Sequence, residues 1–162
     1  MTVNISKKEY EKSEVLSSAT HAIRYILEMG NDVKEVHKKK LLTSMLWVIT
    51  EADGKYKTAF ISEAVKKIRD SGDKSIKGLR HEHVYTRNGL INELLASPKN
   101  IDSILKNAIG CIVTNEDHSL LPNDGYVGWE RYKKAKIRVW DTKVNSWKID
   151  YKDFEEAYLS KG

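Results

Sequence analysis

The chain has 162 residues, 40% of them hydrophobic and 31% charged, which suits one domain with a single core and excludes a disordered chain. Its net charge of +5 and pI of about 9.1 favour polyanionic partners. The apolar runs fall short of the roughly 20 residues that span a bilayer, no secretory signal pattern follows Met1, and the one cysteine excludes an internal disulfide or a multi-cysteine zinc site. The expectation is a cytoplasmic protein with no membrane segment.

Ser6-Lys7-Lys8-Glu9 is a capping-box pattern that starts a helix. Leu16, Ala19, Ile23, Ile26 and Leu27 form its apolar stripe and Gly30 ends it. Asn31 or Asp32 caps a second helix that runs to Glu51 or Ala52. Val33, Val36, Leu41, Met45, Val48 and Ile49 are its stripe, widened by Leu42, Leu46 and Trp47. Thr50, Glu51 and Asp53 cluster where this helix opens onto a surface. The third predicted helix, capped by Thr58 or Ser62, turns Phe60, Ile61, Ala64, Val65 and Ile68 inward. Residues 33–80 hold twelve Lys or Arg against six Asp or Glu.

Residues 79–85 alternate as a strand does. Thr86 caps a short helix over 89–96, and Asn100 a second, with Ile101, Ile104, Leu105 and Ala108 inward. Cys111-Ile112-Val113 reads as a buried strand, so Cys111 is a small core hydrophobe rather than a nucleophile. Thr114 to His118 then caps a short helix. Trp129 to Lys136 is a short basic helix, and residues 137–141 and 146–151 form a hairpin, with Val139 opposite Trp147 or Ile149. A last helix covers Asp153 to Leu159. With no repeat and no linker, residues 1–162 read as one α+β domain. A helical N-terminal half packs on a small mixed β-sheet that draws on 79–85, 111–114, 137–141 and 146–151.

The segment richest in chemistry is Arg80-His81-Glu82-His83-Val84-Tyr85-Thr86-Arg87. On a regular strand His81 and His83 share one face with Leu79 and Tyr85, while Arg80, Glu82 and Val84 take the other. Two imidazoles on one face suit a transition metal, or one metal-binding and one catalytic histidine. The third ligand would come from His118, with Glu116 next, if the strand over 111–114 neighbours this one. The candidate catalytic residues of this segment are His83, His81 and Glu82, and the candidate ligands of a divalent metal are His81, His83 and His118. The plain alternative is that the two strand histidines form a polar layer between sheet and helices. No phosphate-binding glycine loop, His-Glu-x-x-His or nucleophile elbow occurs.

The strand sequence resembles the first histidine strand of the HNH (His-Me finger) nucleases. That resemblance implies His83 as general base for water, His81 or His118 as ligand to a divalent metal, and Asn115 as the residue that orients the base. The stretches LWVITEADGKY, LRHEHV and GWERYKKAKIRVWD are also similar to small uncharacterised bacterial and phage proteins, which implies a prokaryotic or mobile-element setting.

A second candidate surface is Trp129 to Lys136 with Arg138 and Trp140. Basic residues interleaved with aromatics suit phosphate contact with base stacking, although Trp129, Tyr132 and Ala135 also fit a buried stripe. Arg131, Lys133, Lys134, Lys136 and Arg138, with Arg80 and Arg87, are the candidate phosphate contacts. Two functions stand on these features. One is a basic binding protein that engages nucleic acid or a nucleic-acid-processing host protein. The other is a metal-dependent nuclease centred on His81, His83 and His118.

Overall fold

The computed structural model describes residues 12–154. In chain order the elements are α1 (Lys12–Glu28), α2 (Glu35–Thr50), β1 (Phe60–Ser62), α3 (Glu63–Asp70), β2 (Leu79–His83), α4 (Arg87–Ala96), α5 (Ile101–Leu105), β3 (Gly110–Thr114), α6 (Asn115–Leu120), α7 (Trp129–Lys134), β4 (Val139–Asp141) and β5 (Ser146–Ile149). Residues 151–154 are helical. The Ser6 capping box and residues 155–159 of the last predicted helix lie outside the described residues.

The architecture is α+β, as the sequence implies. α1, α2, α4 and α5 enclose one core, in which Ile23, Leu42, Leu46, Leu90, Leu94 and Ile104 are buried together. The C-terminal part adds a five-stranded sheet of order β2-β3-β1-β4-β5. β1 is parallel to β3, and the other pairs are antiparallel. One face carries Cys111, Val113, Val139 and Ile149 against Tyr132 of α7. The opposite face carries Ile61 and Ile112 beneath Val65 of α3.

Local chemistry explains the element ends. Ser62 caps α3 by accepting from the Val65 backbone N–H, and Thr86 does the same for α4 through Gly89. At α6 the Thr114 side chain accepts from Asp117 N–H while Asp117 accepts from Thr114 N–H, a full capping box. In the hairpin Val139 lies opposite Ile149, one of the two registers the alternation allows.

Two expectations need correction. Phe60 and Ile61 belong to β1, the middle strand of the sheet, and not to the third helix, which starts only after the Ser62 cap. Three residues are too few to display a period-two pattern, and helix-spaced apolar residues follow directly. The buried stripe of α2 is Leu42, Leu46 and Thr50, whereas Val36, Leu41 and Val48 are exposed. The helix is apolar around much of its circumference, so spacing alone did not fix which side turned inward.

β2 is an edge strand. The Val84 N–H donates to Ile109 O, and the Asn115 N–H donates to Gly78 O. Together with the Leu79↔Thr114 to His83↔Gly110 register, these bonds set the antiparallel alternation. Even-numbered residues bond toward β3, so His81 and His83 direct their backbone N–H and C=O groups away from it.

Candidate functional site

A cleft of about 700 Å³ follows β2 and is lined by side chains from both faces of that strand. Glu51 and Trp47 at the end of α2 form one wall with Lys55 and Tyr56 of the next loop. Thr86, Arg87 and Asn88 at the start of α4, and Asn115 and His118 of α6, form the others. The surface noted at the end of α2 is thus a wall of this cleft.

The strand's alternation sorts its chemistry. His81 and His83 share the side facing α2. The Trp47 ring stands edge-on to His83 at 4.3 Å and to His81 at 5.4 Å. His83 is buried, and its Nε2 lies 3.3 Å from Thr50 Oγ1. Burial, followed by the neighbouring charges of His81 and Arg87, lowers its pKa to about 3. His81 is lowered to about 4, again chiefly by burial, against the opposing pull of Glu82. Neither ring nitrogen of His81 has a hydrogen-bond partner among the described residues. Both imidazoles are neutral near pH 7, because a charged ring would lose its hydration without a compensating anion.

Glu82, alternating to the other side, is the better-connected residue. Its Oε2 receives His118 Nδ1 at 2.7 Å, and its Oε1 receives Arg131 Nη2 at 3.1 Å. Arg131 is only 2% exposed. It also donates from Nη1 to the carbonyls of His83 and Val84 and from Nε to Pro122. One buried guanidinium therefore caps the free edge of β2 and fixes its carboxylate. The His118 side chain is 42% exposed. When the ring is neutral and gives Nδ1–H to Glu82, the lone pair is on Nε2. Beside it, Arg80 Nε donates to Asn115 Oδ1 at 2.7 Å.

The three-histidine metal set is not assembled. His118 meets Glu82, while His81 and His83 pack on Trp47. Among the described residues no three His, Cys, Asp or Glu side chains gather as a metal-binding group. The reason is the strand period: β3 does neighbour β2, but α6 returns on the Glu82 side. Glu82 and His118 alone would leave most of a divalent ion's shell to water, and Arg131 places a fixed positive charge on the same carboxylate.

The basic segment also divides. Arg131 is buried rather than a phosphate contact. Arg138 is 14% exposed. It lies between the rings of Trp147, at 3.6 Å, and Tyr151, at 4.2 Å, and bonds Asp150 and Glu63. Trp129 and Tyr132 join the sheet core, as the buried-stripe reading has it. Lys133 pairs with Glu130, and Lys134 and Lys136 are exposed. None of these three lines the cleft, whereas Arg80 and Arg87 both do.

Sequence reasoning missed Trp47 as the wall behind both strand histidines and Arg131 as the keystone of Glu82. The signal for the first was Trp47 and Thr50, three positions apart at the end of a helix already marked as opening onto a surface. Comparison with family models, with curated proteins and with solved structures gives no match for this chain.

Proposed function

We propose that the chain binds nucleic acid through the cleft along β2, and that His118, oriented by Glu82, accepts the proton of a nucleophile attacking the phosphodiester. The observation that carries this reading is the 2.7 Å Glu82–His118 pair set in a cleft with Lys55, Arg80 and Arg87 on its walls. Glu82 and Glu51 are the carboxylates there, and Glu82 is already held by Arg131. The remaining charge is positive and suits a phosphate-bearing ligand.

In this mechanism Glu82 holds the Nδ1–H tautomer of His118. An attacking hydroxyl, from water or a ribose 2′ position, passes its proton to Nε2 as its oxygen bonds to phosphorus. The bond to the leaving oxygen breaks, and that oxygen takes a proton from solvent. Arg80 and Arg87 offset the charge on the non-bridging oxygens. His83 is a weaker candidate for the base, since burial holds it to about 3 and its Nε2 faces Thr50. The three-histidine ligand set does not fit the arrangement described above, nor does the HNH-like pairing of His83 as base with a metal on His81 or His118, so no step is routed through a metal.

The test is cleavage of labelled RNA and DNA oligonucleotides by wild type, His118→Ala and Glu82→Gln, each with chelator and with added Mg²⁺ or Mn²⁺. Cleavage that survives chelator and is lost in His118→Ala supports the reading. Cleavage that needs the ion and is lost in both variants reassigns the pair as metal ligands. Binding without cleavage under every condition leaves a second reading, a non-catalytic nucleic-acid-binding protein. That reading is favoured by the way His81 and His83 pack on Trp47 as a structural layer.

A further inference from the structure

Beyond Lys55 and Tyr56 lies a second pocket, of about 360 Å³, which shares Lys55, Tyr56 and Leu79 with the first. Its other walls include Lys57, Arg69 and Lys74, with Asp73 as the acid among them. No carboxylate comes within ion-pairing distance of Lys55, Lys57 or Lys74 among the described residues. Among the described residues, the charge of these three lysines is therefore not spent on ion pairs.

The two pockets meet at a lip, Lys55-Tyr56-Lys57, and the lip is built to hold its shape. Gly54 turns the chain at φ +105, and Tyr56 follows at φ +62. A bulky side chain rarely adopts the left-handed region, so surrounding contacts must impose it. One such contact comes from Arg69, whose Nη2 donates to the Tyr56 carbonyl at 2.8 Å. The half-buried Tyr56 side chain packs at the margin of the α3 core cluster, and Lys55 Nζ stands 5.5 Å from the ring centroid. An aromatic ring flanked by two lysines, at the junction of two basic pockets, is the arrangement on which successive bases of a flexible strand stack while its phosphates meet cations.

We propose that a single-stranded nucleic acid, bound in the cleft as the preceding reading has it, continues over the Lys55–Tyr56–Lys57 lip into the pocket beside α3. Tyr56 is the stacking platform, and Lys57 and Lys74 are the phosphate contacts of the far pocket. Pockets of this size take individual nucleotides, and a stiff duplex cannot bend over the lip to fill both.

The experiment measures binding of fluorescent single strands of about four and about twelve nucleotides, and of a duplex of the longer length, by anisotropy. The lip and far-pocket variants are Lys57→Glu with Lys74→Glu, and Tyr56→Ala beside Tyr56→Phe. Circular dichroism confirms that each variant is folded. Wild type should prefer the longer single strand to both other probes. The paired charge reversal should weaken the longer strand about tenfold or more while leaving the short one unchanged. Tyr56→Ala should weaken it on the order of tenfold, with Tyr56→Phe near wild type. Equal affinity for short and long strands, tighter binding of the duplex, or indifference to the charge reversal overturns the track and leaves the cleft reading standing. Failure of wild type to bind any probe overturns both.

Discussion

Gly110 lies directly beneath the His81 imidazole, so a Cβ at position 110 would overlap the ring at Nε2 and Cε1. The same atom would crowd the Thr58 methyl, at 2.9 Å. The glycine is needed for close approach, since its φ is not among the positive values. Gly110→Ala should destabilise the fold by about 1–3 kcal/mol, the range for inserting a methyl into a filled space. Adding His81→Ala should return part of that loss, a coupling that a double-mutant cycle in urea will read. Additive losses would show that the ring does not rest on this glycine.

Arg131 should be the most sensitive charged residue in the molecule. Arg131→Met removes the partner of Glu82 and of three backbone carbonyls at once, and leaves a carboxylate that is 13% exposed without its cation. Breaking such a pair costs about 3–5 kcal/mol where the remaining charge is uncompensated, and the loss here should lie toward the lower end because His118 still donates to Glu82. Arg131→Lys should recover little, because an ammonium cannot fork to four acceptors. Placing Glu82→Gln on Arg131→Met should recover part of the loss, since the stranded charge is then gone. Denaturation midpoints of the four proteins decide this.

Stability should fall in mild acid, and His83 should be a main cause. Its folded pKa, about 3, lies below the ordinary histidine value of 6.5, and that of His81 is lowered to about 4. Depressed values mean that the unfolded chain binds protons first. Their contribution is therefore fully present above about pH 6.5 and is lost progressively as pH drops toward 4 and then 3. Urea midpoints measured from pH 7.5 to 4 should decline for wild type and decline less steeply for His83→Gln. Equal slopes would remove His83 as the origin.

Salt should report how many cleft cations meet phosphate. If Lys55, Arg80 and Arg87 each neutralise one, log affinity for a short single strand should fall with log salt at a slope of about −2. Arg87→Gln should reduce that slope by about 0.7. Arg87 is exposed, so the substitution empties no buried space, although it gives up the cation–π contact that the guanidinium makes 5.1 Å from the centre of the Trp47 ring. A slope unchanged by Arg87→Gln would place the nucleic acid elsewhere.

The legible parts of this chain were those whose periodicity is local. Leu79 to His83 announced a strand by alternation, and the same alternation separated Glu82 from the two histidines. Thr86 and Thr114 announced helix starts by chemistry confined to three residues. The rest depended on tertiary partners. His118 was recognised as a residue that could come near β2, but its partner is Glu82, and which side of the sheet α6 would occupy is not written in either residue. Arg131 and Arg138 looked like members of a basic surface stripe. Only packing reveals that one fills the interior beside β2 and the other is clamped between two aromatic rings. β1 escaped because a strand of three residues carries almost no pattern of its own.

That short strand has a consequence for how the protein assembles as it is made. Phe60 of β1 pairs with Cys111 on one side and with Asp141 on the other. The middle of the sheet therefore cannot form until segments roughly 50 and 80 residues farther along the chain have been synthesised. α1 and α2 pack against each other and can meet while translation is still under way. β1 must wait, its hydrogen bonds held by water or a chaperone. Sheets dominated by such distant pairings fold slowly, so a ribosome-bound intermediate with the helical part formed and β1 unpaired is the expected target of cellular quality control.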